Sequence, residues 1–152
     1  MGFTKNGVNR TKRRYRKQGF LNKVRVLVFD DDAANCEILR AALLQQSGAL
    51  ISVTQSVETA LQMHRRTPYH VVIAGLQPGS WTGYELLKAI RETDVEYRGF
   101  TPALAVSGFS SPEDEQRAID AGFNAYISRP FGASDITDAI IQVLHDSDNL
   151  AA

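Results

Sequence analysis

Residues 69–83 read YHVVIAGLQPGSWTG, and this stretch decides the fold. The run 70–74 (HVVIA) is short, continuous and β-branched, as a strand buried on both faces reads. Gly75 stands at its carboxyl end. A turn-rich loop with proline and glycine follows. Gly83 then opens a helix of about ten residues that carries Leu86, Leu87 and Ile90. Repetition of this strand–loop–helix unit builds a parallel sheet.

The unit recurs on both sides. Upstream, the valine-rich run 24–29 (VRVLVF) ends in Asp30-Asp31-Asp32. A helix over 33–46 follows, with Ile38, Leu39, Ala42 and Leu43 on one stripe, and Ser47-Gly48 stops it. A strand at 50–54 (LISVT) leads to Ser56, which caps a helix with Val57, Ala60, Leu61 and His64 at i, i+3, i+4, i+7 spacing. Thr67-Pro68 ends it. Downstream, a polar loop over 93–101 contains Gly99, and 103–106 (ALAV) is a strand ending beside Ser107. Ser111-Pro112-Glu113-Asp114-Glu115 is a helix start, with a capping hydroxyl, proline at N1 and acids in the first turn. That helix ends at Ala121-Gly122. A fifth strand, 124–128, runs into Arg129-Pro130, and Ser134-Asp135 caps a last helix with Ile136, Ile140, Val143 and Leu144 inward. Five strands alternating with five helices predict a three-layer α/β domain with a parallel sheet, right-handed crossovers and helices on both faces. Ligands in such sheets sit beyond the carboxyl ends of the strands, which here gathers Asp30, Asp31, Gly75, Ser107 and Arg129.

The length of 152 residues fits one domain with a short extension, and 43% hydrophobic residues suit a packed core. The longest apolar runs are about six residues, against about 20 for a membrane-spanning helix. The N-terminus carries charge but no apolar segment of the secretory kind. The single cysteine, Cys36, excludes an internal disulfide and fits a reducing, cytoplasmic setting. The net charge of zero conceals an asymmetry: residues 1–23 hold eight Lys/Arg and no acid, whereas 24–152 hold nine bases and seventeen acids. The expected organisation is a basic, flexible arm (1–23), a domain (24–148) and a short tail (149–152). Within the arm, Arg10, Lys12, Arg13, Arg14, Arg16 and Lys17 form a nucleic-acid candidate. An anionic membrane surface, or no target at all, are its alternatives.

The order and spacing of these features over about 24–147 resemble the receiver domain of bacterial two-component response regulators, in a degenerate, pseudo-receiver form. Asp30-Asp31 match the family's acidic pair, whose carboxylates hold Mg²⁺ in competent members. Gly75 falls where the phosphoacceptor aspartate stands. Gly83 matches the glycine that follows that aspartate eight residues on, although LQPGSWT departs from the usual Met-Pro-x-Met-Asp. Ser107 matches the hydroxyl that bonds the phosphoryl group, and Tyr126 the aromatic whose rotamer follows it. Arg129 replaces a lysine, and Pro130-Phe131 complete that motif. The resemblance implies a flavodoxin-like strand order of 2-1-3-4-5.

Phosphoryl transfer to a receiver requires a carboxylate in line with the donor phosphorus, and Gly75 offers none. No catalytic residue, enzymatic activity or cofactor is therefore expected, and Mg²⁺ binding at Asp30 and Asp31 is expected to be weak or absent. Arg129, a planar fork suited to carboxylates, is expected to pair with Asp30 or Asp31. The resulting expectation is a receiver-like module in phosphorelay signalling that acts by protein contact without phosphorylation. Its partner would be a histidine kinase or another regulator, with homodimerisation open and no membrane span. Three rivals stand beside it: a working phosphoacceptor using another acid, a nucleic-acid-binding regulator led by the arm, and a binder of small anions in room left by Gly75 beside Arg129. Each site residue also has a plainer reading. Asp30-Asp31-Asp32 would be a cap cluster, Ser107 a strand-end hydroxyl, Tyr126 a packed aromatic, Arg129 a surface arginine, His64 and His70 surface or helix-face residues, and Trp81 a partly exposed loop residue.

Overall fold

The apolar runs assemble into one parallel sheet. The computed structural model describes residues 20–44, 48–108 and 111–151. Its strands are β1 (Arg25–Phe29), β2 (Leu50–Thr54), β3 (Val71–Leu76), β4 (Ala103–Ser107) and β5 (Ala125–Ser128). They lie all parallel in the order β2-β1-β3-β4-β5, the flavodoxin-like arrangement. The helices are α1 (Ala33–Leu44), α2 (Val57–Arg66), α3 (Thr82–Tyr97), α4 (Pro112–Ala121) and α5 (Ala133–Ala151). The basic residues Arg10, Lys12, Arg13, Arg14, Arg16 and Lys17 lie outside the described residues. Phe20–Lys23, the arm's last four residues, form a 3-10 turn that leads into β1.

The period of two along each strand divides the core. Val26, Val28, Val71, Ile73, Leu104 and Val106 face α1 and α5, which contribute Leu39, Leu43, Ile136 and Ile140. Leu27, Phe29, Val72, Ala74, Ala103 and Ala105 face the other way and meet α2, α3 and α4 through Ala60, Leu86, Ile90 and Ala118. Both faces are covered, so the central strands lack polar alternation. The caps follow their chemistry: Ser56 accepts from the Thr59 amide, Ser111 accepts from the Asp114 amide with Pro112 at the first turn, and Gly122 closes α4 at φ 114°.

Several boundaries differ from the sequence reading. The ladder of β3 runs past Ala74, because Gly75 and Leu76 still pair with Val106 and Ser107. The helix expected to last about ten residues has sixteen, so much of the stretch 93–101 is helical rather than loop. Its polar end is fastened, not solvated. Arg91 donates to the carbonyls of Thr101 (2.6 Å) and Gly122 (2.8 Å) and to Asn124 Oδ1 (3.0 Å). It also pairs with Asp94 at 3.0 Å and lies over the Phe100 ring. Asp94 in turn accepts from the Thr101 amide and hydroxyl. The last helix begins at Ala133, with Asp135 accepting from the Gly132 amide, and continues through Ala151, into the stretch read as a tail.

His64 is not a surface residue: it is 3% exposed. Its Nδ1 accepts from the Tyr69 amide (3.1 Å), and its Nε2 faces the Thr101 hydroxyl, whose proton goes to Asp94. The ring is thus held neutral, with its proton on Nε2. His70 Nδ1 likewise accepts from the Arg25 amide at 2.9 Å. Burial pushes both imidazoles below the ordinary value of 6.5; Asp94 opposes this at His64, and Arg25 adds to it at His70. Below about pH 6.5 the unfolded chain takes up protons that the folded chain refuses, so stability should fall as the pH drops through that value. Urea unfolding should show a lower midpoint at about pH 5.5 than at about pH 7.5. An equal or higher midpoint in acid would contradict this account of the two histidines.

Candidate functional site

The carboxyl ends of β1, β3, β4 and β5 bring Asp30, Gly75, Ser107 and Arg129 to one edge of the sheet. Asp30 follows β1 directly and is 0% exposed. Its side chain is aimed across β3. A Cβ built on Gly75 would overlap Asp30 Oδ2 and Cγ, and would stand 3.0 Å from Asp30 Cβ. The carboxylate of residue 30 therefore fills the space that a side chain at residue 75 would need. The space that the small-anion rival would use beside Arg129 is taken by this carboxylate.

The carboxylate is gripped from several sides. Arg129 Nη2 lies 3.2 Å from Oδ2, its side chain 18% exposed. The Gln77 amide donates to both oxygens at 3.0 Å, and the Asp32 amide donates to Oδ1 at 2.9 Å. Asp31 is held separately: the hydroxyls of Ser80 and Thr82 each donate to its Oδ2 at 2.6 Å. Asp32 caps α1, accepting from the amides of Ala34 and Asn35. The acidic run thus splits into one buried anion, one loop anchor and one helix cap.

Gly83 lets this edge close. A Cβ there would sit 2.8 Å from the Gly75 carbonyl oxygen and 2.6 Å from Leu76 Cδ2, so only glycine allows α3 to start against the end of β3. Ser107 is buried at the end of β4, and its carbonyl accepts from the Arg129 amide at 2.8 Å. Tyr126 on β5 is half-buried and packs on the α2–α3–α4 face. Pro130 follows Arg129 through a cis peptide. Trp81 is 60% exposed and precedes α3, its ring 5.9 Å from that of Tyr84.

Gln77, Ser80 and Thr82 were not singled out from the sequence. The signal was present in the unusual loop LQPGSWT, whose polar side chains supply donors to the acidic pair. That supply also decides the fit for a divalent cation. Mg²⁺ seeks several oxygens free to coordinate. Here both oxygens of Asp30 and Oδ2 of Asp31 are occupied by donors, a guanidinium stands within ion-pair distance, and residue 75 has no oxygen in its side chain. Among the described residues no group of three or more His, Cys, Asp or Glu is arranged to hold a metal ion. The residues present do not fit Mg²⁺. No helix among them is long and apolar enough to cross a membrane.

A family model for the response regulator receiver domain matches residues 26–141, and the chain belongs to this family. An uncharacterized 14.6 kDa protein from the sodA1 3' region of Leptolyngbya boryana is 31% identical over 111 residues, which is 72% of this chain and 82% of that protein. The chain spans only 13–51% of the length of several longer curated relatives that it also matches. Among solved structures, chemotaxis protein CheY4 of Vibrio cholerae matches with a TM-score of 0.68 and 25% identity, over 79% of this chain and 98% of CheY4. The receiver domain of Ssk1 from Saccharomyces cerevisiae, solved with the histidine phosphotransfer protein Ypd1, shares the fold with a TM-score of 0.68 and 21% identity, over 78% of this chain and 86% of that one.

Proposed function

We propose that this chain is a receiver domain of phosphorelay signalling that acts through protein contact, without phosphorylation and without enzymatic activity, in the cytoplasm. One observation carries the reading. The space of the missing acceptor side chain is filled by the Asp30 carboxylate, clamped by Arg129, Gln77 and the Asp32 amide. A nucleophile needs a free lone pair and an open line to the donor phosphorus. Asp30 is enclosed, Asp31 carries two hydroxyl donors, and Asp32 is spent as a helix cap, so a substitute acceptor within the acidic run is disfavoured. Loss of Mg²⁺ coordination points the same way, because phosphoryl transfer relies on the cation to neutralise developing charge.

The partner class we propose is a histidine kinase or a histidine phosphotransfer protein, by analogy with the Ssk1 receiver domain and Ypd1. The dissociation constant for such a partner, measured by calorimetry, should be the same within about twofold with and without Mg²⁺ and acetyl phosphate. A change of about tenfold or more on adding the phosphodonor would contradict the proposal.

A further inference from the structure

The opening at this edge of the sheet lies beside the Asp30 clamp. A cleft of about 140 Å³ runs between the loop after β3, the end of β4, α4 and β5. Trp81, Tyr84 and Tyr126 line it, together with the buried Leu76 and Ser107 and the well-exposed Arg117. Its size is that of one six-membered ring, since a cavity of about 150 Å³ takes up benzene. Its walls are aromatic, and aromatic rings favour edge-to-face or offset packing against another ring.

The lining also supplies a charge. Arg117 is well exposed, and its ion-pair contact, with Asp114, spans 4.0 Å, too long for a hydrogen bond. Asp114 also lines the cleft, but its Oδ2 accepts from the Ser111 hydroxyl at 2.6 Å as part of the α4 cap. The guanidinium is thus the charged group of the lining with most capacity to spare. It stands near enough to Tyr84 to oppose the rise that burial imposes on that phenol.

We propose that this cleft binds a single-ring aromatic carboxylate, its ring among Trp81, Tyr84 and Tyr126 and its carboxylate on Arg117. The bound ring would lie against Ser107 and Tyr126, on neighbouring strands whose last paired residues are Ser107 and Ser128. Occupancy would thus act on the edge of the sheet that holds Arg129, as a non-covalent input. The inference does not rest on the absence of phosphorylation, and a failure of either leaves the other standing.

Trp81 is the only tryptophan and serves as the reporter. Benzoate and 4-hydroxybenzoate should quench its emission saturably, with dissociation constants of about 0.1–1 mM. Cyclohexanecarboxylate, which keeps the charge but loses the ring, and benzyl alcohol, which keeps the ring but loses the charge, should each bind about tenfold more weakly. Arg117→Gln, at an exposed position, should weaken benzoate about tenfold and leave benzyl alcohol within about twofold. Amide chemical shifts of the labelled protein should place the perturbation at 76–84, 107, 117 and 126, and their dispersion confirms that the variant is folded. Absence of saturation up to about 10 mM benzoate, shifts confined to other residues, or an Arg117→Gln variant that binds benzoate normally would each overturn the proposal.

Discussion

Replacing Arg129 with methionine is expected to lower the unfolding free energy by about 3 kcal/mol, within the range for breaking one side of a buried ion pair. The size follows from the asymmetry of the pair. Asp30 is fully buried and would keep only the Gln77 amide and the Asp32 amide as donors. An anion enclosed without a counter-ion costs far more than an exposed one, whose pairing contributes about 0–1 kcal/mol. Part of the loss is offset, because Arg129 Nε is itself buried without a hydrogen-bond partner and its removal relieves that cost. Adding Asp30→Asn to Arg129→Met should recover about half of the loss or more, since a neutral amide needs no counter-ion. Urea unfolding of the three variants at neutral pH measures this. A loss below about 1 kcal/mol for Arg129→Met would mean that the clamp contributes no more than a surface pair.

Gly75→Asp should destabilise the fold by about 2–4 kcal/mol, although it restores the residue type that the family carries. The new Cβ collides with the Asp30 carboxylate, so Asp30 must rotate away and release Arg129 and Gln77. Two carboxylates then compete for one guanidinium in a buried setting. The exchange Gly75→Asp with Asp30→Ala returns a single carboxylate to nearly the same place, reached from β3 instead of β1. It should regain most of the stability. A single variant as stable as the parent, or an exchange no better than the single variant, would contradict the placement of Asp30. A carboxylate at residue 75 is therefore accommodated only when Asp30 moves away.

The strands and caps were legible because each depends on local chemistry. Val26 and Leu27 point to opposite faces of a covered sheet, so neither needed a polar neighbour, and Ser111-Pro112 starts a helix whatever surrounds it. The end of α3 was misread because Thr93 and Asp94 look solvated in sequence. Thr93 donates to the Ala89 carbonyl and Asp94 pairs with Arg91 within the helix, whereas Thr101 and Gly122, which fasten Asp94 and Arg91, are brought up by tertiary packing. His64 lies on the apolar stripe that its spacing predicts, but its polar partners, the Tyr69 amide bonded at Nδ1 and the Thr101 hydroxyl bonded at Nε2, are set by tertiary packing. At the site, the residue types at 30, 31, 75, 107 and 129 and their common edge followed from spacing and resemblance. The direction of the Asp30 side chain did not. That glycine at 75 gives space to a neighbour, and not to a ligand, depends on a rotamer that no sequence pattern encodes.

Intact-mass spectrometry of the full chain after incubation with Mg²⁺ and acetyl phosphate tests the central claim most directly. A protein whose acceptor position is Gly75 and whose Asp30 is clamped by Arg129 should emerge with its mass unchanged. Stoichiometric gain of one phosphoryl group, mapped to any aspartate, would contradict it.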